Sequence, residues 1–490
     1  MARMVMLIRP AAVLASAGTL AIALGAVPAT PPEREWSRFR GPNGSGTVEA
    51  GPLPTQFGPV QNVVWKTPLP PGHSSPILAK DRILVTALEG ETLLTLSLDR
   101  ATGRVIWRRE APRPRLLKID KRNHPASPSP ATDGSNVYVF FQDFGLLAYD
   151  RDGKERWRMP LGPFDNVYGM GSSPIVVDNQ VVLVCDQSNG SFMIALDKNT
   201  GRVHWKVDRP EAKTGHSTPI VYKPDKGPAQ LLVPGSFYLT AYSLDKGERI
   251  WWVKGLAFEM KATPVIGDGL VYIHGTSTSN FQDSYNNQIP SFEAVRSSDK
   301  DGDRRFSKEE IPDALAKRWM SLMDLNGDGF LDEREWEYYR AARASRGGLW
   351  AFRLGGRGDV TDTNMVWQYD KSIPQLPSPL LYKGTLYIVN DGGIATTLDP
   401  ATGAVRAQGR LKGAIDNFWA SPVAGDGKVF MVSDSCKVAV LKPDAGLEPV
   451  AVNDLDDQCS ATPAIADGRI YIRTRGALYV FGLPGSPPSR

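Results

Sequence analysis

The chain has 490 residues, of which 41% are hydrophobic and 22% are charged, as is typical of a folded protein with a large apolar core. Its formal net charge of +4 is too small for this length to favour nucleic acid or an anionic membrane as a partner. Length alone suggests about three domains. A radially repeating fold accommodates the same length in one domain, so internal repeats decide the domain count.

Residues 1–29 have the pattern of a secretory signal peptide. Arg3 and Arg9 give a positive start, the apolar stretch 11–26 is shorter than a membrane span, and Ala29 ends a stretch of small residues suited to cleavage. An uncleaved anchor is the alternative. No other segment is long and apolar enough to span a bilayer, so we expect a periplasmic or secreted protein without stable membrane insertion.

The next two elements are short. Residues 30–61 form a polar N-terminal extended segment rich in glycine and proline, with Trp36 and Phe39 near its start. Residues 63–66 then predict a single strand that resembles the last strand of the unit repeated downstream, although no partner strands precede it.

Residues 173–205 predict one structural unit of four short antiparallel strands. The Ser173-Pro174 pair opens the first strand, and two apolar strands follow at 181–184 and 192–196. A turn at 197–201 leads to a last strand that ends in Trp205. Four such strands in about 45 residues are typical of one blade of a β-propeller.

A Ser/Thr-Pro pair marks each copy of this unit. The pairs begin at Ser75, Ser129, Ser173, Thr218, Thr263, Ser378, Ser421 and Thr462. Their spacing is 41–54 residues except for one interval of 115. The last repeat supplies three strands, and the strand at 63–66 supplies the fourth. We therefore predict an all-β, eight-bladed β-propeller at 62–275 and 347–482, closed by its N-terminal strand, with a tail at 483–490.

A tryptophan follows the turn in several repeats, as at Trp107, Trp157, Trp205 and Trp251. We expect these large aromatic side chains to pack against the neighbouring blade rather than to stack on a ligand, because the repetition suits a packing role.

The pattern Ala195-x-Asp197-x-x-Thr200-Gly201-x-x-x-Trp205 resembles the repeat of the pyrroloquinoline quinone (PQQ) family. That family includes quinoprotein dehydrogenases and BamB, the propeller lipoprotein of outer-membrane barrel assembly. The resemblance implies the fold and leaves the function open. Quinoprotein dehydrogenases carry two adjacent cysteines beside the quinone, and BamB is lipidated on a cysteine after its leader. This chain has neither feature, since its first cysteine is Cys185.

The long interval contains an insertion at 276–346 that is charged and helical in composition. Residues 324–335 match all twelve positions of an EF-hand calcium loop, with Gly329 at the sharp bend. The expected calcium ligands are Asp324, Asn326, Asp328, the Phe330 carbonyl, Asp332 and Glu335. A solvated acidic turn is the alternative. We expect Leu331 in the short β contact between paired loops, and Trp336 and Tyr339 in the packing of the exit helix.

A second copy of the calcium loop precedes the first at 299–310, and the spacing predicts one connecting helix at 311–323. Its expected ligands are Asp299, Asp301, Asp303, the Arg305 carbonyl, Ser307 and Glu310. Arg304 stands where glycine is expected, and positive φ at a non-glycine residue costs about 1 kcal/mol. We therefore expect weaker calcium binding in this loop.

Propeller strands alternate in direction, so the loops that enter each blade share a face with the loops between its second and third strands. The insertion is a second-to-third connection, and we expect it on that face, partly covering the channel mouth. The residues three before each repeated proline predict a ring around the mouth: His73, Ser127, Gly171, His216, Lys261, Leu376, Trp419 and Ser460. His73, His216, Lys261 and Trp419 are the candidate ligand-binding residues, suited to a small anionic or aromatic ligand. Ordinary solvated loops are the alternative.

The chain has three cysteines, and an exported protein can form disulfides. Cys436 and Cys459 lie in adjacent repeats and are the favoured pair, with three buried thiols as the alternative.

No catalytic motif is present. The five histidines lack metal-ligand spacing, and the sequence contains no nucleophile elbow, phosphate loop or Cys-x-x-Cys. We predict a monomeric, non-enzymatic calcium-binding scaffold of the cell envelope that binds a ligand or an envelope protein. The alternative is a PQQ-dependent dehydrogenase of alcohols or sugars.

Overall fold

The computed structural model describes residues 36–49, 51–117, 119–166, 168–276, 289–345, 347–443 and 446–485. The signal peptide predicted at 1–29 lies outside these residues. Within the described ranges, no helix is long and apolar enough to cross a membrane.

Eight four-stranded antiparallel sheets form the eight blades of a β-propeller, which confirms the predicted fold. The chain begins with strand β1 (Val63–Pro68). Blade 1 contains β2 (Ile77–Ala79), β3 (Arg82–Glu89), β4 (Thr92–Asp99) and β5 (Val105–Ala111). Blade 2 contains β6 (Ala131–Thr132), β7 (Asn136–Phe141), β8 (Gly145–Asp150) and β9 (Glu155–Pro160). Blade 3 contains β10 (Ile175–Val177), β11 (Gln180–Cys185), β12 (Phe192–Asp197) and β13 (Val203–Asp208).

Blades 4 and 5 flank the insertion. Blade 4 contains β14 (Ile220–Tyr222), β15 (Gln230–Gly235), β16 (Tyr238–Ser243) and β17 (Arg249–Val253). Blade 5 contains β18 (Val265–Gly267), β19 (Leu270–Gly275), and, after the insertion, β22 (Gly348–Arg353) and β24 (Met365–Tyr369). Between the last two, β23 (Gly358–Asp359) joins the edge of blade 4 in parallel with β17, and a short helix spans Thr361–Asn364.

The remaining blades follow the insertion without interruption. Blade 6 contains β25 (Leu380–Tyr382), β26 (Thr385–Asn390), β27 (Ile394–Leu398) and β28 (Val405–Arg410). Blade 7 contains β29 (Val423–Gly425), β30 (Lys428–Val432), β31 (Lys437–Leu441) and β32 (Ala451–Asp454). Blade 8 contains β33 (Ala464–Ala466), β34 (Arg469–Arg473) and β35 (Ala477–Gly482), and β1 is its outer strand.

The two ends of the chain therefore meet in one sheet. Strand β1 pairs antiparallel with β35, so that Trp65 lies opposite Val480. The largest hydrophobic cluster continues from blade 7 through blade 8 into blades 1 and 2 and buries Leu478 and Ile83 completely. Closure in this way removes the open sheet edges that a linear array would expose.

The insertion contains two short paired strands and three short helical segments besides one longer helix. Its elements are a 3₁₀ helix (Glu293–Ser298), β20 (Arg305–Phe306), helices α1 (Ala314–Arg318) and α2 (Met320–Met323), β21 (Leu331–Asp332) and helix α3 (Glu333–Ala344). The prediction of a single connecting helix at 311–323 is wrong. Trp319 leaves the helical conformation, with φ −102° and ψ 16°, and divides the connection into α1 and α2.

The Ser/Thr of each repeated pair joins neighbouring blades, a role that the sequence pattern did not reveal. The hydroxyl of Ser129 accepts a hydrogen bond from the Ser75 amide at 2.9 Å, and the hydroxyl of Ser173 accepts from the Ser129 amide at 2.9 Å. The same bond recurs from Ser173 to Thr218, from Thr263 to Ser378, from Ser378 to Ser421 and from Ser421 to Thr462. These bonds line the channel and fix the spacing of the inner strands.

The tryptophans join the blades at the outer edge, as predicted. The indole N–H of Trp157 donates to the Lys198 carbonyl of the next blade at 2.9 Å, and the ring lies against Gly201. A Cβ at Gly201 would lie 2.7 Å from the Trp157 ring, and Gly201 has φ +72°. Equivalent N–H bonds to the next blade are made by Trp65, Trp107, Trp205 and Trp367.

Residues 36–48 of the N-terminal segment cross the channel between inner strands; we call them the channel segment. The Trp36 carbonyl accepts from the Leu78 amide in blade 1, and the Asn43 side chain exchanges two hydrogen bonds with the Val221 backbone in blade 4. Residue Gly46 accepts from Ala424 in blade 7. These contacts place the channel segment among three blades that are distant in sequence.

Cys436 and Cys459 form a disulfide, and Cys185 is a buried free thiol. The disulfide joins the loop between the second and third strands of blade 7 to the loop that enters blade 8. Both loops lie on the face where the channel mouth was predicted.

Candidate functional site

The ring predicted from the proline spacing encloses one cavity. All eight of its members line a cavity of about 400 Å³, which we call the mouth cavity: His73, Ser127, Gly171, His216, Lys261, Leu376, Trp419 and Ser460. Phe39 of the channel segment also lines the mouth cavity. The structure therefore brings together the four candidate ligand-binding residues from blades that are separated by up to 346 positions in the sequence.

Tyr168 is the centre of a charged cluster on the wall of the mouth cavity. Its hydroxyl donates to Glu259 at 3.2 Å, while Lys261 Nζ lies 4.9 Å and the Arg122 guanidinium 5.4 Å from its ring centre. Burial, then the nearby Glu259 carboxylate, raises the pKa of Tyr168 to about 12. The phenol therefore stays protonated and acts as a hydrogen-bond donor.

Both cations of this cluster already have carboxylate partners. Lys261 Nζ lies 2.5 Å from Glu259, and only 10% of the Lys261 side chain is exposed. Arg122 makes a two-pronged contact with Asp120 at 2.7 and 3.0 Å. Two opposite charges at this distance largely cancel. This wall of the mouth cavity is therefore polar but close to neutral.

The histidines at the mouth are held in the neutral form. Burial lowers the pKa of His216 to about 3, and the nearby Lys261 charge adds to the shift. Burial and the neighbouring His124, Arg473 and Arg475 lower the pKa of His73 to about 3. Neutral imidazoles of this kind can accept or donate one hydrogen bond each but carry no charge to a ligand.

The opposite wall, formed by blades 6 and 7, is partly apolar. Leu376 is 37% exposed, Trp419 is half-buried, and Phe418 lies beside it in the lining. Ile415, which lies in the same loop as Trp419, is 61% exposed. A ligand in the mouth cavity would therefore meet aromatic and aliphatic surface on one side and paired charges on the other.

Sequence reasoning missed several residues of this site, among them Tyr168, Arg122 and Phe39. None of these three occupies a repeated position, because Tyr168 and Arg122 lie in entry loops of unequal length and Phe39 arrives through the channel segment. Of these residues, only Phe39 could have been noticed in the sequence, because it is an aromatic residue in a polar segment outside the repeats.

The insertion lies on the predicted face but not over the mouth cavity. Its helix α3 packs on blade 4, where the Tyr338 ring meets Phe237 edge-on at 5.1 Å. None of the described residues 289–345 lines the mouth cavity. The expectation that the insertion partly covers the mouth is therefore wrong for the described residues, because its apolar core continues sideways into Phe237 and Phe258.

The insertion instead contacts the outer ends of two entry loops. In the loop at 209–219, Lys213 Nζ donates to the Asp324 carbonyl at 3.3 Å, and the Glu211 carbonyl accepts from Tyr338 at 3.0 Å. In the loop at 254–264, Phe258 belongs to the apolar core of the insertion. The same loops carry His216, Glu259 and Lys261 to the cavity wall.

The loop at 324–335 has the local geometry of a cation site. Oxygens of Asp324, Asp328 and Glu335 all lie within 4.8 Å of one another. Gly329 has φ +84°, and its amide donates to Asp324 at 2.9 Å. The Glu335 carboxylate closes the loop by accepting from the Leu325 amide at 2.7 Å and from the Asp332 amide at 2.9 Å.

The loop at 299–310 brings together Asp299, Asp301 and Glu310 within the same distance limit. Arg304 has φ +64° at the position where glycine is expected. The Arg305 guanidinium pairs with Asp303 at 2.8 Å and reaches Asp328 of the other loop at 3.4 Å. The sequence pattern assigns a role only to the Arg305 carbonyl, whereas its side chain pairs with carboxylates of both loops.

The two loops face each other through strands β20 and β21. Phe306 pairs with Leu331, as predicted for Leu331, and Arg305 pairs with Asp332. Trp336 and Tyr339 are fully buried in the core of the insertion, also as predicted. The two loops thus form one compact unit with carboxylates of both at its open side.

Comparison with known proteins identifies the repeat. A family model described as outer membrane protein assembly factor BamB matches residues 61–169, 96–303 and 339–480. No curated protein matches the chain in sequence.

Solved structures resemble the fold at low sequence identity. The crystal structure of BamB from Moraxella catarrhalis has a TM-score of 0.53 and 11% identity, over 86% of this chain and 98% of that one. A europium-containing methanol dehydrogenase has a TM-score of 0.58 and 10% identity, over 92% and 98%. The computationally designed protein Ika8 has a TM-score of 0.52 and 9% identity, over 86% and 100%. Because BamB, a methanol dehydrogenase and a designed protein share this shape, the similarity establishes the fold alone.

Proposed function

Since the chain belongs to the BamB family of PQQ-like propellers, we propose that it is an exported, non-enzymatic binding scaffold of the cell envelope. In this proposal it holds a small ligand in the mouth cavity and calcium in the insertion. The observation that carries the proposal is the convergence of all eight ring residues on one cavity of about 400 Å³. That volume is in the range of small-molecule sites.

The lining favours an aromatic ligand with polar groups. Trp419, Phe418 and Leu376 offer an apolar wall, and the Tyr168 cluster offers hydrogen-bonding groups opposite them. A fully anionic ligand would have to share Lys261 and Arg122 with the carboxylates that already neutralise them.

The alternative is a PQQ-dependent dehydrogenase, and the residues at the mouth fit it poorly. Among the described residues, the groups of three acidic, histidine or cysteine donors that could hold a metal both lie in the insertion, away from the mouth cavity. The disulfide at the mouth face joins Cys436 to Cys459 rather than two adjacent cysteines. We expect neither an absorbance change on adding the quinone nor dye-coupled oxidation of alcohols or sugars. Turnover in that assay would replace our proposal.

A protein partner is the second candidate, as the family is named for a protein-assembly factor. Ile415 and Leu376 support it, because exposed aliphatic side chains at the rim of a binding face are typical of docking surfaces.

Calcium has a structural role in this proposal. The loops at 209–219 and 254–264 carry His216 and Lys261 at the cavity and Lys213 and Phe258 at the insertion. Ordering of the calcium loops by the ion would therefore hold one side of the cavity wall in place. The proposed ligands are those predicted from the sequence, with Glu335 as the bidentate carboxylate of the stronger site and Glu310 as that of the weaker.

Replacing Glu335 with glutamine is expected to remove the stronger of two calcium-binding events. A neutral amide cannot supply the bidentate carboxylate that closes the loop. Calorimetry on the full chain should show binding at about 10⁻⁴–10⁻³ M, the range of extracellular calcium modules. The Glu310→Gln variant should lose only the weaker event, and Glu309→Gln, an exposed neighbour, should keep both.

Hydrogen exchange then tests the structural role of the ion. Calcium should slow amide exchange at 209–219 and 254–264 in the wild type but not in Glu335→Gln. The loops at 411–422 and 455–463, on the far side of the channel, serve as internal controls. Unchanged calcium heats in Glu335→Gln would contradict the site itself. Normal binding with equal exchange in all four loops would contradict only the link to the cavity.

A further inference from the structure

A second cavity, of about 850 Å³, lies beside the mouth cavity where the two ends of the chain meet; we call it the seam cavity. Its walls come from the loops entering blades 1, 2 and 8, the loop between β3 and β4 and the loop between β34 and β35. His73, Asn123 and Ser460 line both cavities and separate them. Of the residues predicted from the repeat, only His73 and Ser460 line the seam cavity.

Arg473 is the unusual residue of the seam cavity. It lies at the end of β34, it is 1% exposed, and it lines the cavity. Its guanidinium donates to the carbonyl of Thr86 at 2.7 Å, the hydroxyl of Ser74 at 2.6 Å and the carbonyl of Pro70 at 3.3 Å. All of these acceptors are neutral, and Nε has no acceptor among the described residues.

A buried guanidinium without an anionic partner is energetically unfavourable. Transfer of a charge from water costs several kcal/mol, and neutral carbonyls recover only part of it. Burial lowers the pKa of Arg473 to about 9, which expresses the same penalty. By contrast, Arg209, the buried arginine of blade 3, pairs with Asp186 at 2.8 Å. The fold can therefore supply a carboxylate to a buried arginine, and it supplies none to Arg473.

Apart from Glu89, the other charged residues that line the seam cavity are cations. Lys121 and Arg475 line it, and neither lies within salt-bridge distance of a carboxylate among the described residues. The Arg475 guanidinium donates to the side-chain oxygen of Gln458 at 3.1 Å, a neutral acceptor. The one acidic residue in the lining, Glu89, pairs with Arg108 outside the cavity at 2.5 Å.

We propose that the seam cavity is an anion-binding site for a small oxyanion, a phosphate or a carboxylate, with Arg473, Arg475 and Lys121 as the cations that bind it. Arginine suits both groups because its planar fork matches two oxygens at once. His73 and His124, whose rings lie 5.1 Å apart, form the wall toward the mouth cavity. His124 accepts from the Ala126 amide through Nδ1, which leaves Nε2–H as its second polar group.

This inference goes beyond the proposed function. It concerns a different cavity, and it requires neither calcium nor a ligand at the mouth. The two cavities also differ in charge, since the cations of the mouth cavity are neutralised by Asp120 and Glu259 whereas those of the seam cavity are not. Loss of oxyanion binding would leave the calcium and mouth-cavity results unchanged, so the two proposals fail separately.

The test uses the full chain, with phosphate and malonate as separate probes titrated at constant ionic strength. We expect at least one of them to bind, and the combined Lys121→Gln and Arg475→Gln variant to weaken that binding at least tenfold. Lys121 and Arg475 are both exposed, so the variant should fold. The control is Arg410→Gln combined with Lys412→Gln, which removes the same charge from blade 6. It should bind as the wild type does.

A second measurement locates the anion without altering Arg473. The chain has five histidines, so their ring signals can be resolved by selective labelling and assigned by single substitution. The saturating probe should shift the signals of His73 and His124 and leave those of His204 and His274 in place. Equal weakening in the test and control variants, unmoved His73 and His124 signals, or no binding of either anion would overturn the proposal. Binding of one anion alone identifies the class.

Discussion

Replacing Gly201 with alanine is expected to lower the free energy of unfolding by about 4 kcal/mol. Two effects add. The residue has φ +72°, a conformation that costs an L-residue about 1–2 kcal/mol. The new methyl group would also lie 2.7 Å from the Trp157 ring, and overpacking of this kind costs about 1–3 kcal/mol. Urea unfolding of the variant and the wild type, followed by circular dichroism, measures the difference.

Gly190 provides the matched control for this prediction. It lies in the same blade and has φ +68°, but the nearest atom to the methyl group that alanine would add, Gln187 Nε2, is 3.8 Å away. Gly190→Ala should therefore show the backbone effect alone. If both alanine variants lose the same stability, the contact between turn glycine and tryptophan does not hold the blades together, and the repeated Asp-x-x-Thr-Gly pattern serves only the turn.

The fold was predictable because its rules are local and repeated. A turn glycine, a Ser/Thr-Pro pair and a tryptophan recur at nearly fixed spacing, and each copy predicts the same four-stranded blade. The pairing of β1 with β35 followed from counting strands. The last repeat has only three strands, and β1 lies outside every repeat. The repeat spacing could not show which residue of the neighbouring blade each repeated residue contacts. For example, the hydroxyl of Ser129 accepts a hydrogen bond from the amide of Ser75 in the preceding blade.

The candidate sites were predictable only where they followed the repeat or a known loop pattern. The ring residues converge because equivalent positions of a radial fold face one channel. Tyr168 and Arg473 escaped prediction since they occupy unique positions, and their environment comes from loops that are distant in sequence. The break at Trp319 shows the same limit, because packing in the insertion overrides a helical pattern that the sequence alone favours.

The charges at the mouth face are arranged differently next to the insertion and at the seam between blades 8 and 1. Blades 4 and 5 lie against the insertion and supply carboxylates to their own cations, as in the pair of Glu259 with Lys261. The seam between blades 8 and 1 is instead closed by Arg473, which bonds backbone carbonyls of blade 1. One arginine thus bonds blade 8 to blade 1 and leaves a positive charge in a cavity.

Lowering the pH from 6.5 to 4 is expected to destabilise the protein well before its carboxylates protonate, because four histidines are buried in the neutral form. Burial lowers the pKa of His274 and of His124 to about 4, and that of His73 and of His216 to about 3. The ordinary pKa of about 6.5 applies in the unfolded chain. Between these values the unfolded state binds more protons than the folded state, so stability is full above pH 6.5 and falls as the pH decreases.

His274 allows one of these contributions to be isolated. It is fully buried in β19, and its Nε2 lies 2.7 Å from the Pro377 carbonyl. Each pH unit in the window changes the stability by about 1.4 kcal/mol per histidine, so His274 alone accounts for about 3 kcal/mol between pH 6.5 and 4. The His274→Gln variant can keep the bond to Pro377 but cannot titrate. Its unfolding free energy, measured in urea at half-unit steps of pH, should fall less steeply than that of the wild type.

Asp434 changes the pH dependence of stability in the direction opposite to the histidines. Burial and the neighbouring Asp416 carboxyl raise its pKa, so the folded state takes up a proton there before the unfolded state does, and stability rises slightly as the pH falls. An Asp434→Asn variant should therefore lose stability more steeply in acid than the wild type, while His274→Gln loses it less steeply. If the unfolding free energies of the wild type and His274→Gln fall in parallel as the pH decreases, His274 becomes protonated in the folded protein. Our description of His274 as a buried neutral imidazole would then be wrong.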